Sequence, residues 1–164
     1  MFRYSIFFLS LLILPARANL GDDVKQLVAR YGTPITFSEP TPTNPFGTIV
    51  FQAGGYTLMV FLLGEKEVGA RVSKMDKTAL TDADQQNIMS TDVASSQWVS
   101  VPSTDPTCLQ WSRSDKATAL YDKQKNMLIF TSDEMAKALQ AAPTAPPTPA
   151  PAAAPVAPAA PAAK

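Results

Sequence analysis

Histidine is absent from the 164 residues. That removes the side chain that most often serves as a general base near neutral pH. Every Ser-His-Asp or Cys-His arrangement goes with it, as do the usual zinc sites. Cysteine is limited to Cys108, which can form no internal disulfide and would need a nearby Lys or Arg to become a reactive thiolate. Its apolar neighbours fit a small buried hydrophobe better. The 14 acidic residues are the chemistry that remains. Two carboxylates facing each other across a cleft could hydrolyse a glycoside. Asp82 and Asp84, however, have the spacing of a helix cap, and Asp115, Asp122 and Asp133 fall at turns or a helix start, where aspartate bonds to local backbone. No Asp-x-Asp-x-Asp-Gly calcium loop occurs. Gly54-Gly55 has no Lys-Ser/Thr after it, so it fits a hairpin turn and not a phosphate loop. These patterns call for no cofactor and no metal, and they define no catalytic set.

The residue types best suited to recognition are Trp98, Trp111, Arg113 and Tyr121. Aromatic and Arg side chains dominate binding hot spots. In Leu109-Gln110-Trp111-Ser112-Arg113 the odd-numbered positions share one strand face, so Trp111 and Arg113 could flank one site. The first reading is that both tryptophans belong to the core of a small sheet, with Arg113 at its rim. An exposed cluster would instead suit a protein or glycan ligand.

Periodicity supplies the elements that must position these groups. Val24, Leu27, Val28 and Tyr31 stand at i, i+3, i+4 and i+7, which predicts a helix from Asp22 to Tyr31 with Gly32 as its stop. A proline-rich loop, 38–44, follows. Thr48–Gln52 and Tyr56–Leu63 are two apolar runs joined by Gly54-Gly55, a hairpin signal. Glu67–Ser73 adds a third strand with Val68, Ala70 and Val72 on one side. The middle strand is apolar on both faces, so both faces need cover. Thr81-Asp82-Ala83-Asp84 resembles a capping box and opens a second helix to Ser90. Strand-like runs follow at Trp98–Val101, Thr107–Arg113, Lys116–Tyr121 and Met127–Thr131, and a last helix begins after Ser132. The fold class expected is α+β: an antiparallel sheet built from two helix-then-meander units, with helices on one face.

Val24-Lys25-Gln26-Leu27-Val28-Ala29-Arg30-Tyr31-Gly32-Thr33-Pro34, followed by the strands around Tyr56–Leu63 and Glu67–Val72, forms a helix–Gly-x-Pro–meander unit. Over residues 22–73 this unit resembles the outer-membrane assembly lipoprotein (SmpA/OmlA) group and the β-lactamase-inhibitor-protein-like small envelope domains. The resemblance implies a related fold and a binding role in the cell envelope. It assigns no binding residue. The chain departs from the group in having no lipid-attachment cysteine and a single helix before the meander.

The two ends differ from this domain. Arg3, the apolar run Ile6–Leu14, Pro15 and Ala16-Arg17-Ala18 have the order of an export leader, predicting cleavage between Ala18 and Asn19. The run is too short to span a bilayer, which takes about 20 apolar residues. Removing Arg3 and Arg17 leaves 12 basic against 14 acidic residues, a net charge of −2. That is no footprint for nucleic acid. Residues 141–164 hold 12 Ala and 8 Pro, a composition that cannot build a core and predicts a disordered spacer. The expected organisation is therefore a signal peptide at 1–18, one domain at 19–140 and a tail at 141–164. It points to a periplasmic or extracellular binding module without enzymatic activity, with an envelope protein or glycan as partner and no membrane span in the mature form. The alternatives are an exported hydrolase using paired carboxylates, and a structural subunit that self-assembles through the strand at 56–63.

Overall fold

The computed structural model describes residues 20–90 and 97–141. The leader, the Ala18–Asn19 junction and the tail from 142 onward lie outside the described residues. Asp23 starts the first helix, α1 (Val24–Tyr31), through a complete capping box: its carboxylate accepts the Gln26 N–H at 2.8 Å, and its own N–H reaches Gln26 Oε1 at 2.8 Å. A short strand β1 (Thr36–Ser38) follows, then β2 (Gly47–Ala53), β3 (Tyr56–Leu63) and β4 (Lys66–Lys74). Gly54 and Gly55, with φ of 58° and 85°, make the β2–β3 turn, where two positive φ values match the twist of the flanking strands. Helix α2 (Asp82–Ser90) precedes β5 (Val99–Val101), β6 (Cys108–Ser112), β7 (Thr118–Asp122) and β8 (Met127–Thr131), and α3 (Asp133–Ala141) ends the described chain.

The expected α+β architecture is not what forms. All eight strands join one antiparallel sheet in the order β1-β2-β3-β4-β8-β7-β6-β5, and the three helices are short additions to it. The join is β4 with β8, where Ala70 pairs with Phe130 and Val72 with Leu128. Nor do the helices share a face. Leu27 and Tyr31 of α1 and Ile88 and Met89 of α2 enter the main core with Phe51, Val60 and Phe130. Met135 of α3 instead packs with Phe46 and Val68 in a second, smaller cluster. Helical periodicity reveals that a stripe is buried but not which side of a sheet receives it.

A β-bulge divides the two clusters. Phe61 pairs with Gly69 but Leu62 pairs with Glu67, leaving Val68 as the extra residue. Ala70 and Val72 therefore enter the main core while Val68 faces the smaller one, although simple alternation places all three on one side. The second face of β3 is partly covered. Phe61 packs against the smaller cluster and lies under the Arg71 guanidinium at 5.0 Å.

The β6–β7 connection holds Lys116 at a φ of 67°, a conformation that costs a residue with a Cβ about 1–2 kcal/mol. Lys116→Gly should therefore raise stability by about 0.5–1 kcal/mol after allowing for glycine's greater freedom when unfolded. Urea midpoints of Lys116→Gly and of a Lys116→Ala control test this, and the alanine variant should show no gain.

Candidate functional site

The structure brings the aromatic and Arg residues singled out from sequence together on the inner face of the sheet. Tyr121 is 4% exposed, and its hydroxyl accepts the Leu80 N–H at 3.1 Å. Trp111, paired with Ala119 across β6 and β7, is half-buried and packs against the main core. Trp98 lies 5.7 Å from the Phe130 ring, and the Arg113 guanidinium sits 4.8 Å from the Trp98 ring. Arg113 is itself buried at 5% exposure, not at the rim. Its Nε and Nη2 donate to Asp115 Oδ1 and Oδ2 at 2.9 and 2.7 Å. This forked pair holds the Asp115 carboxyl below the usual range. The four residues form a wall of the core, with Arg113 stacked into it, and do not form an exposed hot spot.

Beside Arg113 a polar recess of about 370 Å³ opens between the Leu20-Gly21 segment and α3. Glu67, 2% exposed, lines it with Arg113, Asp115, Asp133, Glu134 and Lys137. Lys137 and Asp133 pair at 2.6 Å, which holds the Asp133 carboxyl down. Sequence alternation gives no hint of a buried Glu67. The bulge places it there by pairing it with Leu62, whose side chain is in the main core. Burial pushes the Tyr31 hydroxyl well above its ordinary value, and the charge of Glu67 adds to that rise. Asp22, just ahead of the N-cap, and Arg30, in the last turn, pair along the length of α1.

A second, larger groove lies between α1, the end of β1 and the β3–β4 turn, with a volume of about 730 Å³. Val24, Val28, Phe37 and Leu62 supply its apolar lining, and Asp23, Glu39, Glu65 and Lys25 its charged groups. Val28 is 39% exposed and Phe37 52% exposed. Helix α1 has a wider apolar stripe than the sheet covers: Leu27 and Tyr31 are buried, whereas Val28 faces water. Helical spacing groups Val28 with its buried neighbours, and a strand of only three residues does not single out Phe37. The one local signal for it is an apolar residue just ahead of a proline-rich loop.

Among the described residues, no group of three or more His, Cys, Asp or Glu side chains is placed to hold a metal ion. No described helix is long and apolar enough to cross a membrane. Neither a protein-family model nor a curated protein matches the sequence. Among solved structures, the chain is similar to a cysteine-rich secretory protein from Staphylococcus aureus, with a TM-score of 0.39 and 13% identity over 71% of this chain and 45% of that one. It is also similar to an extracellular protein containing an SCP domain from Bacillus anthracis, with a TM-score of 0.41 and 15% identity over 79% of this chain and 50% of that one. The chain thus spans about half the length of each.

Proposed function

We propose that this chain is an exported, non-enzymatic binding module and that the groove between α1 and β1 is its ligand surface. The observation that carries this reading is the pair Val28 and Phe37, apolar side chains left 39% and 52% exposed over an apolar-lined groove. Folding leaves this apolar surface in water, and covering it with a partner would recover about 25 cal/mol per Å². The leader pattern in the sequence of residues 1–18 supports export to the periplasm or beyond. Six of the aspartates are poor candidates for a general acid. Asp76, Asp84, Asp105, Asp115, Asp122 and Asp133 are all moved downward by local partners, whereas a general acid needs a carboxyl moved upward.

The test is a photo-cross-linking amino acid placed at position 37 in cells of the producing organism. A matched protein carries it at position 139, where Leu139 is 54% exposed on α3, away from the groove. A discrete adduct is expected from position 37 and none from position 139. No adduct from position 37, or equal adducts from both, removes the groove as the ligand surface. Mass spectrometry of the same exported protein should show Asn19 as its first residue.

A further inference from the structure

We infer that the groove takes an extended segment of a partner protein, in which one large apolar side chain has Lys or Arg two residues away on the side that meets Glu39. The inference rests on the groove being the ligand surface and adds the chemistry of the occupant. Strand β1 is an edge of the sheet, paired with β2 on one side only, and its three residues are all exposed. An edge strand presents main-chain donors and acceptors to a further strand, and β-strand addition draws its affinity from those bonds. Specificity in that mode comes from pockets for alternate side chains. Phe37 pairs with Ile49, whose side chain is in the main core, so Phe37 faces the α1 side of the sheet. A residue paired across from Phe37 would direct its side chain to the same side, where the apolar lining begins.

The charges fix one flank. Asp23, Glu39 and Glu65 face the groove against the single cation Lys25, a local excess of two negative charges. Side chains two apart on a strand share a face. Glu39 follows Phe37 by two residues, and Glu65 and Asp23 lie beyond the same Ser38 end of β1, beside the β3–β4 turn. A basic group two residues from the apolar one would therefore meet this rim at that end, and a peptide with Lys on both sides presents one whichever way its strand runs. Pro34 and Pro40 flank the edge and cannot donate to a ladder, which limits the paired length to a few residues.

The test uses the mature chain, residues 19–164, and a fluorescein-labelled heptapeptide, Ser-Lys-Thr-Leu-Thr-Lys-Ser, in fluorescence anisotropy. One control peptide replaces both Lys by Glu, and another moves them next to the Leu. The first peptide should bind at least tenfold more tightly than either control and weaken as salt is raised. Phe37→Asp should weaken it at least tenfold, and Glu39→Lys with Glu65→Lys should shift preference toward the Glu peptide. Thermal melts of the variants confirm folding, and the charge variants stay informative should Phe37→Asp lose it. Equal binding of the three peptides, or binding indifferent to the substitutions, overturns the inference. So does a concentration-dependent dimer in sedimentation that Phe37→Asp dissociates, which would make a second copy the occupant. An adduct at position 37 with no peptide binding leaves the groove as ligand surface and eliminates this ligand chemistry alone.

Discussion

Gly69→Ala should lower the stability of the domain by about 3 kcal/mol, seen as a fall of roughly 10–15 °C in the thermal midpoint. A Cβ at Gly69 would stand 2.4 Å from Met135 Sδ and 2.8 Å from the Phe130 carbonyl oxygen. The sulfur can swing aside, because methionine has three rotatable bonds. The carbonyl belongs to the neighbouring strand and cannot. Gly69 pairs with Thr131, immediately before the Ser132 that caps α3: Ser132 Oγ accepts the Met135 N–H at 3.1 Å, and the Ser132 N–H donates to the Val68 carbonyl at 2.9 Å. The close approach of β4, β8 and α3 thus converges on one missing side chain.

A double-mutant cycle makes the cause testable. Met135→Ala alone should cost about 2 kcal/mol by opening the smaller cluster. Gly69→Ala combined with Met135→Ala should be more stable than the sum of the two losses, because truncating the methionine removes the sulfur clash. It should still fall below Met135→Ala alone, since the Phe130 carbonyl remains in the way. Strict additivity would show that the new Cβ never meets Met135. Hydrogen exchange should show the α3 amides exposed first in Gly69→Ala, with β2 and β3 protected as before.

This glycine also marks where the sequence stopped being legible. Strands β2, β3 and β4 and helix α1 follow from local signals: the Gly54-Gly55 turn, the 3.6-residue stripe and the Gly32 stop. Glycine inside a strand points to a bulge or a close backbone approach, and Gly69 has both beside it. Simple alternation from Val68 to Val72 carries no such signal, and so it encodes neither the burial of Glu67 nor the turning of Val68 toward α3. The pairing of β4 with β8 joins residues far apart in sequence, and no local pattern encodes it. The cluster offered two readings, core or surface, that residue types alone do not separate. Trp98, Trp111, Arg113 and Tyr121 do converge on one face, but that face is the core side. The types of residue could be read, whereas the side of the sheet depended on how the two meanders joined. The groove residues were legible only as a helix stripe and one unremarkable phenylalanine.

Asp84→Ala should destabilise the fold by about 2–3 kcal/mol, given the loss of a helix cap and of charge-assisted hydrogen bonds. Asp84 is half of the capping box of α2: its Oδ2 accepts the Thr81 N–H at 2.8 Å and hydroxyl at 2.7 Å, while its own N–H reaches Thr81 Oγ1 at 3.1 Å. The same carboxylate accepts the Tyr56 hydroxyl at 2.8 Å and pairs with Lys74 at 2.9 Å. It therefore pins α2 to both β3 and β4. The Lys74 ammonium, with the Thr81 hydroxyl next, holds Asp84 far below the usual carboxylate range. A group whose folded value is depressed stabilises the fold fully above its unfolded value, near 4 for aspartate. That contribution is lost as pH falls from there through the folded value. The stability difference between the wild type and Asp84→Asn should hence be constant from pH 7 to 5 and shrink steadily toward pH 2. The other depressed aspartates are present in both proteins and cancel in the difference. At the alkaline end, partial burial and the bond to Asp84 push the Tyr56 hydroxyl up to about 12. A raised value works in the opposite sense: the Tyr56 contribution is whole below its unfolded value near 10 and is lost as pH rises toward 12. Urea midpoints across pH should thus show one cluster weakening the fold at both extremes. A wild-type and Asp84→Asn difference that stays level down to pH 2 would show that the charge of Asp84 contributes nothing beyond its shape.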